Sequence, residues 1–492
     1  MMNFFLEHIN TELFWWTIFI VYYITIISII VVVLSENRNP LKSLAWVCVL
    51  IMFPIGGLIL YIFFGRNIKN TRMISRRKKR KLLKSEAHSV PQKVNLDDCD
   101  LSAEEKQYVR LAQNLTGANF YPDNKVEIFH DGNAKLSAII EDIKRAQSYI
   151  HLQYYIIEDD DTGRMLTEIL KAKAGEGVKV RVIYDDIGSM HLKGSFLKPL
   201  REAGVDIYPF SRVTFPPFAT RINWRNHRKV CVIDGKIGYI GGMNIANRYL
   251  DGGENFSSWR DTHLRVTGSA VVALNYSFAV DWSFMGRELL DDPSGKAQNP
   301  TEEHDMSRGD DAAIQLVTSG PTSRWSNIAM VMLKAISNAK HHVFIQTPYF
   351  LPTESLLKAL QAAALAKVDV RVMMPIRSDS NMLTHASRSY IGECLKSGIK
   401  IYLYEGGMLH SKNVIVDNSF VTVGSTNFDF RSFEHNFEGN LLIYSKEVNS
   451  RLQSEFAECE KNSRRVLYGQ WRRRPIRFKV AESIMRLFAP IL

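Results

Sequence analysis

The strongest constraint on what this chain can fold into is an internal duplication. His227-x-Lys229-x4-Asp234 leads into Gly241-Gly242-x-Asn244, and His410-x-Lys412-x4-Asp417 leads into Gly424-Ser425-x-Asn427. The histidine-to-asparagine spacing is 17 positions in both copies, which begin 183 residues apart. One such match would be weak evidence; two with matching downstream small residues and asparagine are not accidental. The flanks repeat as well. Tyr149–Tyr155 and Val178–Tyr184 read as strands around a helix near Met165–Ala174. The later half gives Val343–Gln346, a helix near Ser355–Ala366, and Val368–Val372 in the same order. Ala203–Tyr208 likewise echoes Ser397–Tyr402. Short β-branched strands alternating with helices predict two α/β units of one design. The first unit carries about eleven extra residues around Phe210–Ala219, a Pro- and Phe-rich stretch expected to form a lip at the site entrance.

The motif states its chemistry through residue type and spacing. On a strand, positions i and i+2 share a face, so each His-x-Lys aims an imidazole and an ammonium at one point. Lys229–Asp234 and Lys412–Asp417 both read as strands, followed by a turn, a second strand and small residues that let backbone approach a ligand. Imidazole, ammonium and the amides of Asn244 and Asn427 suit an anionic phosphoryl centre. Double displacement at phosphorus needs a neutral nucleophile and a protonated acid in one site, and imidazole serves in either state near neutral pH. Two copies therefore predict one histidine that attacks and one that carries the proton. Lysine is a poor metal ligand and the carboxylate clusters of magnesium sites are missing, so no metal and no cofactor is expected. His88, His130, His151, His263, His341, His342, His385 and His435 have no partner at motif spacing and are expected to be structural or exposed.

The N-terminal region points to a membrane. Leu13–Leu34 and Leu44–Phe64 are uncharged apolar runs, each long enough to cross a hydrocarbon core, with Trp15, Trp16, Trp46 and Tyr61 near their ends. A short loop between them predicts a two-helix hairpin. Ten Lys or Arg and no acid between Arg66 and Lys84 account for nearly all of the net charge of +11 and put that side in the cytoplasm. Beside anionic headgroups each such charge contributes about 1 kcal/mol. Residues 85–101 read as a polar linker, and Ser102-x-x-Glu105 as a capping box opening a helix toward Leu115. The tail, 471–492, is basic and amphipathic, which suits either a bilayer surface or a packing helix. Five scattered cysteines argue against a disulfide framework or a zinc site.

The paired motifs resemble those of the phospholipase D superfamily. Two apolar runs, a basic tract and both motifs together are similar to the bacterial cardiolipin synthases over nearly the whole chain. Supporting strings are Arg38-Asn-Pro40, Leu44-Ala-Trp46, Asn226-His-Arg-Lys229, Thr347-Pro-Tyr-Phe350 and Asn427–Phe433. The resemblance implies two similar phospholipase D-type α/β sandwich domains (126–300 and 301–470) forming one interfacial active site. A transmembrane hairpin (1–65), a basic tract and linker with a helix (66–125), and the tail (471–492) complete the chain.

The resemblance also implies roles. Lys229, Lys412, Asn244 and Asn427 bind phosphate oxygens, His227 is the nucleophile and His410 the acid/base. Asp234 and Asp417, though part of the catalytic motif, are expected to be structural. An acid 25 to 35 positions after each motif histidine should hold its imidazole, which points to Asp261 after His227 and Glu438 after His410. Arg225 and Ser425 are neighbouring candidates. The implied reaction moves a phosphatidyl group between two phosphatidylglycerol molecules, giving cardiolipin and glycerol at a membrane of anionic lipids that include cardiolipin. With water as acceptor the same residues would make a membrane-bound phospholipase D releasing phosphatidic acid. No nucleic-acid partner is expected, since a nuclease gains nothing obvious from lipid-facing spans. A membrane scaffold would be expected to have lost a histidine or lysine.

Overall fold

Residues 2–35, 40–61, 73–84, 94–212, 224–290 and 308–489 are described by a computed structural model. The chain divides into two units, Met1–Ile68 with Val213–Asn223, and Lys69–Arg212 with Trp224–Leu492.

In the first unit the helix Met2–Ser35 contains a 20-residue stretch, Glu12–Val31, apolar and long enough to cross a bilayer. At 1.5 Å per residue it reaches about 30 Å, the thickness of the hydrocarbon core. The second apolar run departs from expectation. It is not one continuous helix over 44–64 but two, Pro40–Met52 and Pro54–Leu60, separated at Phe53 (φ −130°, ψ 71°). Pro54 has no N–H to continue the ladder and pushes the residue before it out of helical geometry. Gly57 then lies against the preceding helix, where an added Cβ would sit 2.7 Å from the Val49 carbonyl oxygen. Only the first run therefore qualifies as a span by its length among the described residues. Val33, Leu50 and Tyr61 are buried together, with Trp46 edge-on to Tyr61 at 5.3 Å.

The second unit is built on a sheet of fifteen strands whose two halves mirror each other. From one edge the order is Asp206–Phe210, Lys179–Asp185, Tyr149–Tyr154, Val230–Ile233, Ile237–Gly241, His263–Gly268 and Tyr121–Phe129. Tyr121–Phe129 pairs antiparallel with Asp310–Ser319, where the second half begins. Glu438–Tyr444, Phe420–Gly424, Asn413–Val416, His342–Gln346, Asp369–Pro375, Lys400–Tyr404 and Ser463–Arg465 follow. In each half three strands run parallel, and the motif hairpin is added antiparallel to the first of them. The parallel strands are largely buried because helices cover both faces.

The expected helices are present at Asp161–Gly175 and Glu354–Leu365. Asp131, Asp160, Ser380 and Ser445 each accept a backbone N–H at a helix start and fix where the chain leaves its preceding loop. The Ser102/Glu105 capping box opens the helix Ala103–Thr116. That helix is not an accessory of the linker: Tyr108, Val109 and Ala112 are buried against Ile328, Val331 and Met332 of the second half. The linker reading fails from Val94 onward, because Val94, Leu96, Cys99 and Leu101 pack on the same core. The lip at 213–219 and the basic residues at 66–72 lie outside the described residues. The tail forms the helix Ile476–Phe488, which packs on Asn381–Lys396 through Arg486–Glu393 and an internal Arg474–Glu482 pair.

Candidate active site

Each motif begins in an extended segment that borrows its partner from the opposite half. The His227 N–H donates to the Phe437 carbonyl (2.9 Å), and the Phe437 N–H to the Arg225 carbonyl (2.8 Å). In the other copy the His410 N–H donates to the Arg260 carbonyl (2.7 Å), and Met408–Leu409 pairs parallel with Trp259–Arg260. Both motif segments therefore lie beside the residue that precedes the other half's acid.

This exchange corrects the expected pairing. Asp261 and Glu438 do hold the imidazoles, but crosswise. His227 Nδ1 lies 3.0 Å from Glu438 Oε1 and 3.0 Å from the Ser425 carbonyl, both from the second half. His410 Nδ1 lies 2.5 Å from Asp261 Oδ2, from the first half. Counting along the chain assigned each acid to its own motif, whereas the strand exchange at the interface brings it to the other. A proton on Nδ1 in each dyad leaves Nε2 with its lone pair free.

The lysines are equally symmetric. Lys229 Nζ donates to the His227 carbonyl (2.6 Å), and Lys412 Nζ donates to the His410 carbonyl. Lys412 Nζ also lies 3.5 Å from Asp261 Oδ2. Its 2.8 Å approach to His410 Nδ1 is proximity alone, because the single hydrogen there is directed to Asp261. All six groups are buried. Burial, with Lys229 and Lys412 nearby, depresses the His227 imidazole, and burial with Lys412 pushes His410 down to about 4. Burial holds both ammoniums below the usual lysine range, Lys229 furthest. Burial alone would raise the carboxyls, but Lys412 and His410 outweigh it at Asp261, and His227 and Lys229 outweigh it at Glu438, so both stay ionised. Lys229 responds to Asp261 and Lys412 responds to Glu438, so the two half-sites form one electrostatic centre.

The two halves hold their acids by different means. Gly242 faces Asp261, and a Cβ there would sit 2.1 Å from Oδ1. At the matching position Ser425 donates its hydroxyl to the longer Glu438. The small residues after each motif thus make room for a carboxylate, a role the sequence reading gave to ligand approach. Ser425 joins the site as a direct neighbour of the His227 dyad. Arg225 stands one layer behind it, paired with buried Asp185 at 3.2 Å.

Asp234 and Asp417 are bonded into the scaffold at the hairpin turns. Each adopts a left-handed conformation (φ 52° and 49°) at its hairpin turn. The Asp234 carboxylate accepts the N–H groups of Gln147, Ser148 and Tyr149, each at 2.8 Å. Asp417 accepts those of Lys340, His341 and His342 at 2.8–3.0 Å. Both asparagines are buried. Asn244 accepts from the Ile156 N–H (3.1 Å) and donates to the Tyr249 hydroxyl, while Asn427 Oδ1 has no hydrogen-bond partner among the described residues.

Aromatic neighbours carried no sequence signal. Tyr155 lies edge-on to His227 at 4.9 Å, and Trp259 and Tyr249 lie 5.2 and 5.9 Å from His410. Their spacing from the motifs is irregular, and only the fold brings them in. His151 is structural as expected, buried against Asn275 at 2.8 Å. Among the described residues no group of three or more His, Cys, Asp or Glu converges as a metal site would require.

Comparison with known proteins follows the same pattern. A family described as "Cardiolipin synthase, PLD-like domain" matches residues 139–267 and 332–459, and one described as "Phospholipase_D-nuclease N-terminal" matches 24–66. The chain is 38% identical over 474 residues to the major cardiolipin synthase ClsA of Bacillus subtilis, covering 95% of this chain and 97% of that protein. It is 41% identical over 469 residues to the cardiolipin synthase of Oceanobacillus iheyensis, covering 94% and 96%. Among solved structures, the phosphatidylserine synthase of Haemophilus influenzae shares the fold, with a TM-score of 0.59, 16% identity, and coverage of 78% of this chain and 98% of that one.

Proposed function

The chain belongs to the cardiolipin synthases of the phospholipase D superfamily, and from that premise we propose that its crossed dyads transfer a phosphatidyl group between two phosphatidylglycerol molecules. His227 Nε2 attacks the phosphorus of the first lipid. The P–O bond to the terminal glycerol breaks, and that oxygen leaves with a proton from His410 as free glycerol. The phosphatidyl group is then held on His227. The terminal hydroxyl of a second phosphatidylglycerol gives its proton to His410, attacks the same phosphorus and expels His227, giving cardiolipin. The phosphodiester is conserved throughout, so no nucleotide is consumed.

The observation that carries this reading is that each imidazole is completed only by the opposite half, His227 by Glu438 and His410 by Asp261. One site with two oriented histidines is what a double displacement requires. Charge supports it as well. Two ammoniums offset two carboxylates, and an arriving phosphodiester adds the negative charge that lets depressed His410 take its proton. Lys229, Lys412, Asn244 and Asn427 would hold the phosphoryl oxygens. For His227 as nucleophile, the support is its Nδ1 facing two acceptors, the Ser425 carbonyl and Glu438.

The apolar helix Glu12–Val31 supports membrane association. We take the kinked run 40–61 to return across the bilayer, which makes the protein multi-pass and leaves the basic tract and catalytic halves in the cytoplasm. The domain limits that suit this arrangement are 126–300 and 301–470, with phosphatidylglycerol as both donor and acceptor.

The test is product analysis. Purified full-length protein is incubated with phosphatidylglycerol vesicles and chelator, and the lipids are separated. Cardiolipin with an equal amount of glycerol is expected. Phosphatidic acid alone would make water the acceptor and overturn the transferase reading.

A further inference from the structure

A basic helix lies beside an amphipathic groove behind the reaction centre. Seven of the nine residues of Arg76–Lys84 are cationic, in a helix anchored by fully buried Leu82. Like charges three and four positions apart destabilise an isolated helix, so this one needs a counter-charge. Among the described residues neither Arg76 nor Lys79 has a carboxylate partner. The two line a cavity of about 570 Å³ together with Arg324 and Arg228, and among the described residues no acidic side chain lines it.

Much of the rest of the wall is apolar. Leu83 from the basic helix faces Val272, Ala273 and Val280 on one side of the helix Val271–Phe284, with Leu316 from the central sheet. Thr318, Thr322 and Ser323 add hydroxyl-bearing side chains to the lining that includes Arg324. Arg228 reaches the groove because it alternates with His227 and Lys229. Its neighbours face the dyads, whereas its own guanidinium pairs with Asp281 (2.6 Å) and donates to the Glu438 carbonyl (3.1 Å). This floor is therefore distinct from the six groups of the active site.

Arg76, Lys79 and Arg324, which have no carboxylate partner among the described residues, together with a few hydroxyls and an aliphatic wall, are complementary to one chemistry, a phosphate ester joined to a hydrocarbon chain. We propose that this groove is an accessory binding site for one anionic glycerophospholipid. The headgroup phosphate is held by Arg76, Lys79 and Arg324, and the upper part of an acyl chain lies along Val272, Ala273 and Val280. The volume suits a headgroup and part of one chain and leaves the remainder in the bilayer. The site goes beyond the catalytic reading, and occupancy needs no turnover.

The test uses full-length protein in phosphatidylcholine vesicles containing phosphatidylglycerol with a photoreactive group in its acyl chain. After illumination and digestion, label is expected on peptides covering 73–84, 270–281 and 315–325, equally in wild type and His410→Ala. An excess of unlabelled anionic lipid should remove it, and inorganic phosphate should not. Arg76→Glu/Lys79→Glu and, independently, Ala273→Trp should lower label on these peptides at least tenfold. Label near His227 should persist, and an unchanged thermal midpoint would report intact folding. Hydrogen exchange in 76–84 should slow when anionic vesicles are added to wild type. Absent label, label indifferent to both variants, displacement by phosphate alone, or a groove cross-linked to another segment of the chain would each overturn the proposal. A failure to make cardiolipin would leave it standing.

Discussion

His227 and Glu438 are 211 residues apart in sequence and 3.0 Å apart in space, and the reciprocal pair His410–Asp261 spans 149. Neither half completes its own histidine. The duplication therefore does not provide two sites; it provides one that exists only when both halves have folded together. That couples the chemistry to the antiparallel joint between Tyr121–Phe129 and Asp310–Ser319.

The crossing predicts which carboxylate serves which role. Glu438→Gln and Asp261→Asn should each lower turnover on phosphatidylglycerol by on the order of 10³–10⁴, as loss of an imidazole-orienting carboxylate does elsewhere. A donor with p-nitrophenol as leaving group separates them, because that group departs without a proton. His410→Ala and Asp261→Asn should then release a burst of p-nitrophenolate equal to the enzyme present, while His227→Ala and Glu438→Gln should release none. If the pairs grouped by sequence proximity instead, His410 with Glu438, the crossed assignment would be wrong.

Gly242 and Ser425 occupy the same motif position but tolerate exchange unequally. At Gly242 a Cβ would meet Asp261 Oδ1 at 2.1 Å, so Gly242→Ser must displace the acid that holds His410. Misplacement on that scale costs about a hundredfold in rate. Ser425→Gly removes one hydrogen bond to Glu438, which still has Asn436 and His227, and should cost about tenfold. Steady-state rates for the two variants in matched vesicles decide it, and equal losses would contradict the asymmetry.

Much of this was legible in the sequence because the signals were local. Motif spacing, β-branched runs and the Ser102/Glu105 box each report on contacts within a few residues. The carboxylate partners were found by position and misassigned by half, since strand exchange is a property of the interface that no spacing records. The second apolar run looked continuous by hydropathy, yet Pro54 and Gly57 bend it through backbone geometry that hydropathy does not weigh. Tyr155, Tyr249 and Trp259 reach the imidazoles from three unrelated segments, and aromatic residues so placed look like core in a sequence.

Asp417 should behave as a structural residue despite its place in the motif. Asp417→Ala loses an acceptor for three N–H groups and puts alanine at φ 49°. Together these cost about 2–4 kcal/mol. Asp417→Asn tolerates the left-handed backbone and keeps one acceptor, so it should lose less. The thermal midpoint should fall in that order, with activity per folded molecule largely kept well below the midpoint. Lost turnover at unchanged stability would instead place the carboxylate in the chemistry.

Stability should also fall with pH in a window set by His410. Burial and Lys412 push its imidazole down to about 4, against the upward pull of Asp261, and burial with Arg260 does the same at His130. In the unfolded chain each titrates near 6.5. Above about pH 6.5 both states are neutral at these positions, and neither histidine biases folding. As pH falls from about 6.5 toward 4 the unfolded chain takes up protons that the folded one refuses, so stability declines, by at most about 1.4 kcal/mol per pH unit for each group. Asp261 and Glu438 act in a lower window. Their carboxyls are held below the usual range, so their contribution is present above about pH 4 and is lost as pH falls further. Denaturant midpoints measured from pH 8 to 4 should show the decline in wild type and a shallower slope in His410→Gln, which removes one of the depressed imidazoles. Identical slopes in the two proteins would mean that His410 does not enter the folded site uncharged.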